Sequence, residues 1–262
     1  MRGLSAKLGV LLTVYFAQMV EYRAEIFFWI LSGSLPLILM GVWIEAAASG
    51  DFSLDSLQFA RYFFAVFIVR QLTTIWVIWE FEREVVEGTL SFRLLQPLDP
   101  VWHHVARHWA EKLTRLPILA IFTGIFFGLY PQAFWLPDPW HLLQALVGII
   151  CSFGLYFLIQ YTFALCSFWT ERASALQDLW FLFYIFLSGI VAPLEMFPES
   201  VRQIVLLTPF PYGVYFPAAA LVGLPLPFLR SLLIIGFWIA IMALVNRWLW
   251  RRGLKQYSGM GA

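Results

Sequence analysis

Residues 142–168 read LLQALVGIICSFGLYFLIQYTFALCSF and include no Asp, Glu, Lys or Arg. A helix needs about 20 mostly apolar residues to cross the hydrocarbon core of a bilayer. The strands of a membrane β-barrel would instead alternate apolar and polar residues over segments of about ten. This stretch is apolar on every side, so it predicts a membrane-spanning helix.

The composition of the whole chain extends that prediction to the rest of the protein. Hydrophobic residues make up 61% of the 262 residues and charged residues 13%, against about 45–50% and about 25% in soluble proteins. A soluble domain of this size could not bury so much apolar surface. We therefore expect a single all-α integral membrane domain over residues 1–262, embedded in a lipid bilayer. The net charge of +1 gives no indication of a nucleic-acid partner.

Six segments are long and apolar enough to span the bilayer. They are residues 25–45, 59–79, 113–131, 142–168, 174–194 and 229–249. Ahead of them, residues 3–22 carry apolar side chains three and four positions apart, which is typical of an amphipathic helix. We interpret this segment as a helix on the inner membrane surface. The alternative is a cytoplasmic extension of the first span.

The distribution of positive charge predicts the orientation of the chain. With six spans, both termini, residues 80–112 and the turn at 169–173 lie on one side, which holds most of the 17 Lys and Arg residues. The few found elsewhere are Arg61, Arg70, Arg202 and Arg230. Because positive charge concentrates in cytoplasmic loops, we expect a multi-pass protein of the cytoplasmic (inner) membrane with both termini in the cytoplasm.

The longest polar stretch, residues 80–112, is expected to be a cytoplasmic coupling loop. It begins EFEREVVEGTLSFRLLQPLDP, in which Gly88 offers a break and Pro97 a stop. Between them, Thr89 can cap a short helix over Leu90–Leu95. Such a helix suits docking into a groove on a cytoplasmic partner, whereas the alternative is a merely solvated connection. The residues expected to make the contact are Glu87, Gly88, Thr89, Leu90, Arg93, Leu94, Leu95 and Pro97, with the three leucines forming its apolar face and Glu87 and Arg93 its rim charges.

Within this loop, residues 82–98 follow the pattern ERExxEGTLxxxLLxPL, which resembles the loop signature of ABC-2 type permeases. In that family a pattern close to ExGTLxxLLxxPL forms the coupling helix that contacts the ATPase. The present chain departs from it by one extra residue between Leu90 and Leu94. Residues 188–198, SGIVAPLEMFP, resemble the end of the fifth span in the daunorubicin-resistance-like branch of the family.

The resemblance implies one membrane half of an ABC exporter, which moves its substrate outward by alternating access. It implies that this chain binds no cofactor, because ATP and Mg²⁺ are held by a separate ABC ATPase subunit present in two copies. A second copy of the chain, or a related permease, would complete the pathway. An ATP-independent channel and an integral-membrane lipid-modifying enzyme are the alternatives, although the sequence contains no Walker motif, phosphate-binding loop or nucleophile elbow.

Residues 195–228 combine many prolines with an apolar composition. We expect short re-entrant helices that dip into the outer leaflet, which is tolerated where such backbone packs on protein. The aromatic residues Phe210, Tyr212 and Tyr215 are candidates for an outer gate. Anchoring of these aromatic side chains at the membrane interface is the alternative.

Three polar residues within the predicted spans are candidates for gating or binding. Arg70 lies near mid-membrane, where a charge costs about 2.5–3.5 kcal/mol on insertion scales and requires a partner or a wet cavity. Asp178 and Glu45 are the expected partners, in either a functional or a structural ion pair. Gln160 is expected to form a hydrogen bond between two helices.

The three histidines of the coupling loop, His103, His104 and His108, have the spacing HHVARH. The sequence lacks the glutamate of the zinc-binding pattern HExxH. We therefore expect these side chains on an interfacial or cytoplasmic helix surface and no metal site.

Overall fold

The computed structural model describes residues 4–50 and 52–257, which form helices joined by turns. The helices, in chain order, are α1 (Leu4–Glu21), α2 (Arg23–Ser32), α3 (Leu35–Ser49), α4 (Ser56–Thr73), α5 (Val77–Val86), α6 (Leu90–Leu94), α7 (Val101–Leu129), α8 (Pro139–Leu165), α9 (Ser174–Leu187), α10 (Glu199–Val205), α11 (Tyr215–Leu221) and α12 (Phe228–Gln256). Single 3₁₀ turns follow α7 and α8, and two more flank α10. The predicted first helix, residues 3–22, begins at Gly3, which lies outside the described residues, as do residues 258–262.

Within residues 4–50 and 52–257, five helical units are long and apolar enough to cross a membrane. They are Arg23–Ser49, Ser56–Val86, Val101–Leu129, Pro139–Phe168 and Phe228–Gln256. In the most apolar 18 residues of the first and the last unit, only 17% and 11% are buried within the protein, so these apolar surfaces face outward. The all-helical prediction is confirmed, and five of the six predicted spans correspond to these units.

The predicted span over residues 174–194 is shorter than expected. Helix α9 has 14 residues, about 21 Å at 1.5 Å per residue, against a hydrocarbon core of about 30 Å. The chain turns at Gly189, whose φ of 85° is rarely adopted by other residues. The Tyr62 hydroxyl donates to the Gly189 carbonyl at 2.8 Å, and the Tyr215 N–H donates to the Ser188 carbonyl at 2.9 Å. These contacts from distant residues end the helix.

The second spanning unit is broken between α4 and α5, and side chains from α7 satisfy the freed backbone groups. Lys112 Nζ donates to the carbonyl of Thr74 at 2.5 Å. The N–H of Trp76 donates to His108 Nε2 at 2.9 Å. A backbone group left unpaired in a membrane interior costs several kcal/mol, so α7 makes this break possible.

The core lies between α4, α5, α8 and α11, and it is dominated by aromatic side chains. Tyr62, Phe63 and Phe81 are fully buried there. Helix α11 packs on both α4 and α8, with Gly213 just before it. A Cβ atom at Gly213 would lie 2.2 Å from the Tyr156 ring, so this close approach requires glycine. Helix α1 lies along α7.

Candidate functional site: a charged junction beneath a short helix

The predicted break and short helix in the 80–112 loop are both present. Gly88 has a φ of 73° and ends α5, and α6 follows over Leu90–Leu94, one residue shorter than expected. Thr89 occupies the capping position, but its side chain makes no capping hydrogen bond. The Ser91 hydroxyl instead donates to the Gly88 carbonyl at 2.7 Å.

The apolar face of α6 differs from the predicted one. Leu90 is completely buried and belongs to the main core together with Phe81, so its assignment to an exposed docking face is wrong. The turn at Gly88 sets the direction of the chain that follows, and sequence spacing alone does not show which side of a one-turn helix faces the core. The exposed apolar side chains are Phe92, Leu94 and Leu95, with exposed fractions of 69%, 37% and 85%.

An ion-pair network, which we call the charged junction, connects α6 to α5 and α7. Arg93 Nη2 lies 2.7 Å from Glu84 Oε1, and Arg107 Nε lies 3.1 Å from Glu80 Oε1. The His104 ring lies between the two carboxylates, with a nitrogen 3.5 Å from each. Of the two predicted rim charges, Arg93 therefore has its partner within this chain, while Glu87 is exposed.

The junction continues along α7 with groups that are more deeply buried. Arg115 hydrogen-bonds to both Glu111 and Gln71, and it is only 2% exposed. Lys112 is 3% exposed, and its ammonium group holds the carbonyl at the α4–α5 break. Buried charges of this kind require paired and hydrogen-bonded partners, which the junction supplies.

The three histidines were predicted to lie on an interfacial or cytoplasmic helix surface, but they are buried, so that prediction is wrong. His103, His104 and His108 are 9%, 1% and 1% exposed. The Tyr15 hydroxyl of α1 and His103 Nδ1 share a hydrogen bond of 3.1 Å, and burial raises the pKa of the Tyr15 phenol. The sequence does contain a sign that these side chains belong to one polar network. His104, His108, Glu111 and Arg115 are spaced four, three and four residues apart, which places them on one face of a helix.

The junction also reaches α9. The Glu82 carboxylate accepts hydrogen bonds from the Ser174 N–H at 2.6 Å and from the Ser174 hydroxyl at 3.1 Å. This carboxylate satisfies free donors at the beginning of α9, where a negative charge is also favoured by the helix dipole. Helix α5 is thereby joined to α6, α7 and α9.

Arg70 does not pair with the expected carboxylates. Asp178 and Glu45 are both exposed, and no ion pair of Arg70 occurs within residues 4–50 and 52–257. Its Nη1 donates instead to the Gly33 carbonyl at 3.3 Å, at the break between α2 and α3. Gln71 Nε2 donates to the Ile30 carbonyl at 3.2 Å on the same break. Carbonyl groups freed by a helix break thus replace the predicted acidic partner.

Gln160 makes the expected bond between helices, because its amide group donates to Gln177 Oε1 and joins α8 to α9.

The outer-gate candidates are not on a free surface. The hydroxyl of Tyr212 donates to the Leu206 carbonyl and that of Tyr215 to Glu195, both at 2.5 Å. The Phe210 ring stacks on Trp180 with centroids 4.4 Å apart.

The Tyr212 and Tyr215 hydroxyls thus bond within residues 195–228, and Phe210 holds this region against α9. We call residues 195–228 the tyrosine segment. Tyr212 and Tyr215 are each 1% exposed, and burial raises the pKa of the Tyr215 phenol well above its ordinary value. The phenol therefore stays neutral and donates to Glu195. A role of these residues as a gate stays a prediction.

The chain matches the model of a known protein family, and no curated protein matches it. The matched family is described as ABC-2 family transporter protein, and the match covers residues 37–261. It includes all of the charged junction, α6 and the tyrosine segment. The match does not distinguish the daunorubicin-resistance-like branch, which stays a prediction. Because the family covers most of this helical, multi-pass chain, the protein belongs to the ABC-2 transporter family and is the permease component of an ABC transporter.

Proposed function

We propose that this permease is part of an ATP-driven exporter and moves its substrate outward across the cytoplasmic membrane. ATP and Mg²⁺ would be bound by a separate ABC ATPase in two copies. The proposal is carried by α6, which presents Phe92, Leu94 and Leu95 outward although it is fastened to the helices behind it. Central apolar anchors of this kind supply most of the binding energy at protein interfaces.

The contacts of α6 suggest how movement of the ATPase would reach the spans. A push on α6 acts on α5 through the Arg93–Glu84 ion pair and on α7 through the contact of Arg93 with His104. Helix α5 is separated from α4 by the break at residues 74–76, where α7 side chains hold the backbone. We infer that α5 moves relative to α4 about this break, which serves as a hinge for alternating access.

We further propose that two permease subunits form the pathway, either as two copies of this chain or with a related permease. Five spanning units and the short α9 are too few to enclose a wide path alone. Helix α9 also leaves Leu179, Leu182 and Phe186 at least half exposed, which suits a contact with a second permease or with lipid. Both termini would be cytoplasmic, on the side of α6.

The proposal is tested by purifying the protein from its native membranes and asking whether an ABC ATPase co-purifies. The Leu95→Asp variant should lose the ATPase and its stimulated hydrolysis, because a charge replaces an exposed anchor. Leu136→Asp is the matched control, since Leu136 is 80% exposed and lies outside the 80–112 loop. A wild-type protein that recruits no ATPase would support an ATP-independent channel instead.

A further inference from the structure

A cavity of about 810 Å³ lies between α1, α2, α5 and α7, next to α6. Its volume falls within the range of about 300–1,000 Å³ that is common for small-molecule sites. The contacts that explain the charged junction leave this space unfilled. Its lining is unusual in combining indole rings with an excess of carboxylates.

One wall of the cavity is aromatic. The ring centroids of Trp29 and Trp76 lie 4.8 Å apart in an edge-to-face arrangement, and those of Trp76 and Trp79 lie 5.5 Å apart. Trp29 and Trp79 are 48% and 38% exposed, so part of each ring is available to a ligand. The faces of indole rings attract cations through their quadrupoles, and aromatic cages are the usual receptors for quaternary ammonium groups.

The charges around this wall are predominantly acidic. The lining contains five glutamates, Glu25, Glu80, Glu84, Glu87 and Glu111, and three arginines, Arg83, Arg107 and Arg115. Three of the glutamates are held in ion pairs of the charged junction. Within the part of the chain that the structure describes, Glu25, Glu87 and Arg83 take part in no ion pair, so the unpaired charge of the lining is negative.

Glu25 and Trp29 are placed to act on one ligand. They lie four residues apart on α2, so their side chains leave the same face of the helix, and both line the cavity. An anionic lipid headgroup would meet the unpaired carboxylates and be repelled. A neutral apolar molecule would gain nothing from them.

We propose that this cavity binds an amphipathic organic cation, with the indole rings of Trp29, Trp76 and Trp79 around its charged group and Glu25 supplying the opposite charge. The binding site does not depend on whether α6 docks an ATPase. If the tryptophans only anchored the protein at a membrane interface, cation binding would not depend on Glu25. The effect of changing Glu25 therefore distinguishes a cation site from interfacial anchoring.

The experiment is equilibrium dialysis of the full chain in detergent against radiolabelled tetraphenylphosphonium, with empty micelles as the background. Tetraphenylborate has the same shape and the opposite charge, so it measures binding that depends on apolar contact alone. We expect saturable binding of the cation and no binding of the anion above background. Trp29→Ala and Glu25→Gln should each weaken cation binding by about threefold to tenfold.

Matched controls are available elsewhere in the chain. Trp140 is 59% exposed and Glu45 is exposed, and neither lines the cavity, so Trp140→Ala and Glu45→Gln should bind the cation as the wild type does. Each variant is first compared with the wild type by its melting temperature in detergent, and Trp29→Phe is used if Trp29→Ala does not fold. Equal binding of cation and anion, or unchanged affinity in the folded Trp29 and Glu25 variants, would overturn the proposal.

Discussion

The charged junction and the tyrosine segment both contain broken helices, but they satisfy their free backbone groups by different means. In the junction, Lys112 and His108 supply long polar side chains to the α4–α5 break. In the tyrosine segment, the neutral Tyr212 phenol donates to the Leu206 carbonyl, and the backbone at Gly213 packs closely on the Tyr156 ring. Hydrogen bonds with a charged partner are stronger than those between neutral groups. The junction is therefore suited to transmitting force between helices, whereas the tyrosine segment is suited to forming a fixed, tightly packed closure.

The largest effect is expected from breaking the buried part of the charged junction. Arg115→Ala removes the guanidinium from the partly buried Glu111 carboxylate and leaves it only Lys112, 3.6 Å away, which should lower the free energy of unfolding by about 3 kcal/mol, the low end of the range for a broken buried pair. The measurement is denaturant unfolding in mixed micelles. The double variant Glu111→Leu, Arg115→Met should recover only part of the loss, because it removes both charges but leaves the Lys112 ammonium, 3.6 Å from Glu111, with the Thr74 carbonyl alone. A small effect of Arg115→Ala alone would mean that water reaches Glu111 and that the junction is not a dry network.

In the tyrosine segment the most damaging single change should be steric. Gly213→Ala places a Cβ atom 2.2 Å from the Tyr156 ring, and overpacking of this kind costs about 1–3 kcal/mol. Gly154→Ala is the matched control, because a Cβ there meets nothing within 4 Å. Equal melting temperatures for the two variants would show that the tyrosine segment adjusts to the extra atom without cost. It would then not be the tightly packed region that we contrast with the junction.

A smaller effect is expected at the edge of the junction. The Arg93–Glu84 pair is partly exposed, at 21% and 13% of the side chains, so Arg93→Ala should cost less than about 1 kcal/mol of stability. The rate of stimulated ATP hydrolysis should nevertheless fall clearly in this variant, because the pair links α6 to α5. Arg247→Ala is the control, because the Arg247 guanidinium is 59% exposed and lies 3.9 Å from Asp99. Parallel loss of stability and hydrolysis would assign Arg93 a structural role only.

The sequence predicted the spanning helices well because apolar composition over about 20 residues is a local property. It also located α6, since Gly88 is a local break. It did not locate the break between α4 and α5, which depends on Lys112 and His108 from another helix. The shortening of α9 depends likewise on Tyr62 and Tyr215, which are distant in sequence.

The candidate site shows the same limit. The residues of α6 follow a local pattern, but burial of Leu90 depends on how the Gly88 turn directs the chain against the core. The burial of the histidines depends on α1 and α5, which cover them. The partner of Arg70 is a backbone carbonyl at Gly33, and side-chain identity gives no indication of such a group.

We propose above that α6 contacts an ATPase through the side chains it exposes. The most direct test places a photo-crosslinking amino acid at Leu95, at the buried Leu90 and at Leu136 in turn, in cells that contain the native partners. We expect a crosslink to an ABC ATPase from position 95 and none from position 90 or 136. A crosslink from position 136 but not from position 95, or no ATPase adduct at all, would contradict it.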